Sequence, residues 1–90
     1  YRFRVLRLED GVAIMGTPRS ADFPAYRALQ ILDASLAGLP PGAAPLMEGQ
    51  QRMAAVQARA RGIVARSDAV QRVEWELDRD WLAAHGVYPE

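Results

Sequence analysis

Two short apolar-rich runs meet at Glu9-Asp10-Gly11, and that junction constrains the chain more than any other feature. Asp tolerates and Gly favours the positive φ that a tight hairpin turn needs. Before the junction, Tyr1, Phe3 and Val5 alternate with Arg2 and Arg4, the period of a strand with one buried face. After it, Val12-Ala13-Ile14-Met15 reads as a return strand, ended by Gly16 and Pro18. Residues 1–17 are therefore expected to form a β-hairpin. Leu6 and Leu8 fall in phase with Arg2 and Arg4, so the hairpin needs a bulge near Val5 or cover on both sides. A lone hairpin is marginal in water and must lean on other elements.

Beyond the Thr17-Pro18-Arg19-Ser20 loop the period changes. Phe23, Tyr26, Leu29, Leu32 and Leu36 recur three and four apart, which predicts an amphipathic helix over 22–37, with Ser20 or Asp22 as its cap. Gly38 and Pro40-Pro41-Gly42 end it, leaving a Pro/Gly loop over 38–44. From Pro45 the pattern is helical again. Met53, Val56, Ala60, Ile63, Val70 and Leu77 stand near heptad spacing, which predicts a long or bent helical region over 45–85, as one helix or as two with a break or bend near Ser67. His85-Gly86-Val87 has the form of a helix end. The expected architecture is α+β and α-rich: one small domain in which an N-terminal β-hairpin is followed by two or three amphipathic helices. Its core is expected to draw on Phe3, Val5, Ile14, Leu29, Leu32, Leu36, Met53, Val56, Ile63, Val70 and Leu77.

A chain of 90 residues has room for one domain and a thin stability margin, so association is a natural way to add to it. The formal net charge is zero, which argues against nucleic acid as a partner, because phosphate affinity comes from uncompensated Lys and Arg. There is no Cys, which removes disulfides, thiolate metal sites and cysteine nucleophiles. No signal-peptide pattern opens the chain and no apolar run approaches the roughly 18–20 residues of a membrane span. The expectation is no membrane, with a slight lean to the cytoplasm. Arg without any Lys, beside abundant Ala, reads as the codon bias of a GC-rich bacterial genome.

Residues able to carry chemistry are few. His85 is the lone histidine and reads as a cation in a last helical turn. Glu74 with Asp78, and Glu76 with Asp80, would be neighbours on a helix and could hold a hard cation; Arg72 and Arg79 make a salt-bridged face the preferred reading. Gly11 and Gly16 match no phosphate-binding spacing, and no nucleophile elbow occurs. Arg2, Arg4 and Arg7, interleaved with Tyr1 and Phe3, read as charge protecting an edge strand. No catalytic residue, metal or cofactor is expected.

What remains is a charge split. Arg52, Arg59, Arg61, Arg66 and Arg72 precede Glu74, Glu76, Asp78 and Asp80, a polarity that suits two antiparallel copies or one chain folded back on itself. Trp75 and Trp81, six apart, would face different sides of a helix, leaving one for a contact surface. Arg59, Arg66, Arg72, Glu74, Trp75, Asp78 and Trp81 are thus the candidate interaction residues. The expected function is a non-enzymatic protein–protein interaction module, either a homodimer or an accessory subunit of a larger bacterial assembly. The alternative is a small ligand-binding or catalytic domain using Arg, Tyr and carboxylate side chains at a helix–helix cleft, with Arg27, Arg59 or Arg66 lining it.

Overall fold

The computed structural model describes residues 1–89. Strands β1 (Arg4–Glu9) and β2 (Val12–Thr17) form the N-terminal hairpin. Asp10 and Gly11 both take positive φ, 48° and 81°, as a two-residue turn matched to strand twist requires. The register slips between Val5 and Arg7, so Leu6 is the extra residue of a bulge. That bulge resolves the conflict in the alternation.

Helix α1 spans Ala25–Leu32, shorter at both ends than the 22–37 expectation. Ser20 closes a turn instead of capping the helix: its Oγ accepts from the Phe23 N–H at 3.1 Å. At the other end the Asp33 carboxylate accepts from both the N–H and the Oγ–H of Ser35 and starts a 3-10 turn over Ala34–Leu36. A short polar side chain has here outcompeted helix continuation. The Gln30 amide then donates to the carbonyls of Leu36, Ala37 and Leu39, fastening the loop back onto α1.

Helix α2 spans Ala44–Ala65 and opens with Pro45 in its first turn, where a missing N–H costs nothing. The largest correction follows it. Residues 72–77 are not helical: Arg72–Leu77 is a strand, β3, and only Arg79–Ala84 returns to helix, as α3. The expected helical region over 45–85 is therefore α2, a strand and one short helix. Arg72-Val73-Glu74-Trp75-Glu76-Leu77 alternates strictly and carries β-branched and aromatic residues on one face, so period 2 wins over the heptad spacing of Val70 and Leu77. Among the described residues the fold is mixed α+β, with a three-stranded sheet and three α-helices, and is not α-rich.

The sheet order is β1-β2-β3, with β1 antiparallel and β3 parallel to the central β2. A parallel neighbour demands a crossover, and α1 and α2 supply it. The central strand is consequently buried from Ala13 to Thr17. Phe23, Ala25, Ala28, Met53 and Leu82 form the core cluster, with Phe3, Leu29, Leu77 and Trp81 packed against it. Of the expected core, Ile14 and Met53 are buried, and Phe3, Leu29, Leu36, Val70 and Leu77 are half-buried. Val5, Leu32, Val56 and Ile63 are instead exposed, and the residues expected to continue the helical seam past Ala65 pair with β2 as β3. Among the described residues no helix is long and apolar enough to cross a membrane.

Candidate functional site

The alternation in β3 sends Arg72, Glu74 and Glu76 to one face of the sheet and Val73, Trp75 and Leu77 to the other. On the charged face the register sets Ile14 beside Glu74 and Gly16 beside Glu76. Arg7 reaches across β2 and donates from both terminal nitrogens to the Glu76 carboxylate, at 3.0 and 2.9 Å, and from Nε to Glu9 at 2.8 Å. The bidentate bond to Arg7 holds the Glu76 carboxyl below the usual carboxylate range, and the same bonds raise Arg7 further above its already high value. Arg72 pairs with Glu74 at 3.0 Å.

At the end of this face lies a cleft of about 600 Å³, lined by Arg4, Leu6, Arg7, Glu76, Asp78, Arg79 and Asp80. Its deepest polar group is Asp78, 2% exposed. Asp78 caps α3 by accepting from the Trp81 N–H at 3.2 Å, accepts the Tyr1 hydroxyl at 2.7 Å and pairs with Arg4 at 3.3 Å. Burial and the bond to Asp78 push the Tyr1 phenol well above its ordinary range. Gly16 makes room for this junction, since a Cβ there would lie 3.1 Å from the Tyr1 hydroxyl and 3.2 Å from Asp78 Oδ2. Arg79 donates to the Pro89 carbonyl at 2.8 Å. Most charges of this cleft are thus spent on one another.

Behind the sheet the surface is of a different kind. Two adjoining depressions, of about 300 and 320 Å³, share Tyr1, Phe3 and Val56. The first adds Leu29, Leu32, Gly49, Arg52 and Met53; the second adds Arg2, Arg59, Ala60 and Ile63. Together they form one apolar groove along α2 from Gly49 to Ile63, a run of about 21 Å at helical rise. Its aromatic wall is braced. Phe3 meets Trp75 edge-on at 5.9 Å and Tyr1 at 4.9 Å, and Tyr1 meets Trp81 at 5.2 Å. His85 completes the series 4.6 Å from Trp81 and donates Nδ1–H to the Trp81 carbonyl at 2.8 Å, as the cap residue of α3.

The seven candidate interaction residues do not converge. Arg59 lines the apolar groove and Arg66 sits at the C-terminal end of α2. Arg72 and Glu74 form an exposed pair on the charged face. Asp78 is a buried cap, and Trp75 and Trp81 brace the groove wall from behind. The two acidic pairs do not share a helix face, because β3 ends between Glu76 and Asp78, although Glu76, Asp78 and Asp80 all line the charged cleft. Among the described residues no group of three or more His, Asp or Glu side chains gathers as metal ligands would. Tyr1, Phe3 and Leu32 line the groove beside Val56 and Ile63, and periodicity places them only in the hairpin and the helix. Compared with known proteins, the chain matches no family model, no curated protein and no solved structure.

Proposed function

We propose that this chain is a non-enzymatic protein–protein interaction module that receives a partner in the apolar groove beside α2. The observation that carries this reading is the exposure of large apolar side chains along one line: Leu32 at 42%, Val56 at 43% and Ile63 at 58%. A contiguous apolar surface rimmed by charge is the usual mark of a contact site. The charged cleft supports the ligand-binding alternative less well, since Arg4 and Arg7 are already committed to Asp78 and Glu76.

The partner is a different chain, which makes the module an accessory subunit and not a homodimer. Helix α2 carries Arg52, Arg59 and Arg61 against one carboxylate, Glu48. Two copies meeting through this helix would bring like charges together. Of the acidic residues available to neutralise them, Glu74, Glu76 and Asp78 are occupied with Arg72, Arg7 and Arg4. Native mass measurement on the chain isolated from its own cells tests the reading. The expected result is a complex of fixed stoichiometry that Ile63→Glu dissolves and Arg61→Glu leaves intact. A chain that runs alone, or a complex indifferent to Ile63→Glu, overturns it.

A further inference from the structure

We infer that the occupant of this groove is an acidic amphipathic helix of about four turns. The inference rests on the interaction reading above and adds the chemistry of the partner. Two observations converge on it. The groove follows α2 from Gly49 to Ile63, so its length matches a helix laid alongside, whose i, i+3, i+4 and i+7 side chains would enter the two depressions. Its rim carries Arg2, Arg52 and Arg59, all exposed, and among the described residues none of the three forms an ion pair. Carboxylates flanking the apolar stripe of an incoming helix would meet these three guanidinium groups, steering its approach and fixing its register.

A strand added to the free edge of β1 is the competing mode, and the edge is built against it. The bulge at Leu6 breaks the ladder that an added strand would extend. Arg4 and Arg7 stand along the same strand. Bulges and charges are the devices by which sheet edges refuse further pairing. The groove lining, by contrast, includes apolar side chains from Phe3, Leu29, Met53, Val56 and Ile63, against which a helix face can pack without any backbone pairing.

The test is a displayed library of helical peptides of about sixteen residues. Each has a fixed Leu/Ile face, and its flanking positions vary among Glu, Gln and Lys. The library is selected against the whole chain and against its Ile63→Glu and Arg52→Glu/Arg59→Glu variants. The expected outcome is enrichment of Glu over Lys by about tenfold or more at the flanks, reversed in the double arginine variant and lost with Ile63→Glu. Equal recovery of Glu and Lys flanks would overturn the acidic character. Failure to enrich any helix would overturn the helical occupant. Either failure, alongside a native complex that Ile63→Glu dissolves, leaves the interaction reading standing and removes only this inference. A dimer of the chain alone that Ile63→Glu converts to monomer would assign the groove to a second copy and overturn both.

Discussion

The Tyr1 hydroxyl donates to Oδ2 of Asp78 over 2.7 Å, joining residues 77 positions apart in sequence. The same carboxylate accepts the first-turn N–H of Trp81 and the guanidinium of Arg4. One buried side chain thus ties the N-terminal segment, the edge strand and α3 together. Asp78→Ala removes the cap and leaves the Tyr1 hydroxyl unpaired, with an expected loss of about 3 kcal/mol. Asp78→Asn keeps an acceptor for the cap and should lose about half as much. Urea midpoints at constant m value check both; a loss below about 0.5 kcal/mol for the alanine variant contradicts this role.

Gly16 is the position that lets this junction close. A methyl group there would sit 3.1 Å from Leu6 Cδ2 and from the Tyr1 hydroxyl. Gly16→Ala is expected to cost about 1–2 kcal/mol by overpacking. It should also bring the Tyr1 phenol back toward its ordinary titration, seen by ultraviolet absorbance. An alanine variant with unchanged stability and unchanged titration would contradict the close fit.

The pH dependence has two limbs. Tyr1 keeps its proton in the folded chain well above the ordinary phenol value, while the unfolded chain releases it near pH ~10. The folded state binds more protons in that window, so stability falls as pH rises through about 10. Tyr1→Phe should flatten the alkaline slope. Glu76 has the opposite sign. Its carboxyl is held low by Arg7, so its contribution is present above the ordinary glutamate range and fades as pH falls through the folded value. Glu76→Gln should flatten that acid limb. Denaturant midpoints across the pH range check both slopes, and parallel curves for variant and parent would contradict them.

Val56 and Ile63 offer a sharp contrast between core and surface. Core side chains of this size cost several kcal/mol when replaced by a charge. Exposed as they are, Val56→Glu and Ile63→Glu should each change stability by no more than about 0.5–1 kcal/mol. Thermal unfolding of the two variants decides the matter, and a large drop in either would return that residue to the core.

Much of the N-terminal half, and the helix end at Gly86, was legible in the sequence, because these signals are local. Asp10-Gly11 dictates its turn, and the misplaced Leu6 announces the bulge. Pro40-Pro41-Gly42 separates two helices whatever surrounds them. Gly86 takes the left-handed conformation at φ 76°, and the Val87 N–H bonds back to the Leu82 carbonyl, as the Gly-apolar end signal implies. The second half misled because two periods overlap. Val70 and Leu77 continue the seven-residue spacing of α2, while the residues between them alternate by two. The strict alternation that sets Val73, Trp75 and Leu77 on one face decided for the strand, which then found β2 as a parallel neighbour. That pairing involves positions 60 apart, and no local pattern encodes it. The folded chain divides the charge split: Glu74, Glu76 and Asp78 pair with Arg72, Arg7 and Arg4, while Arg52, Arg59 and Arg61 stand on α2 away from them. The groove was legible only as apolar residues, since exposure depends on which neighbours arrive.

The most direct measurement is position-resolved photo-crosslinking in the native cells. A benzophenone side chain is placed in turn at Val56 and Ile63, within the groove, and at Ala58, on the opposite side of α2. One adduct of the same mass is expected from the two groove positions, none from Ala58, and loss of the Val56 adduct when the exposed Ile63 is changed to Glu. Equal labelling from all three positions, or an adduct from Ala58 alone, would contradict it.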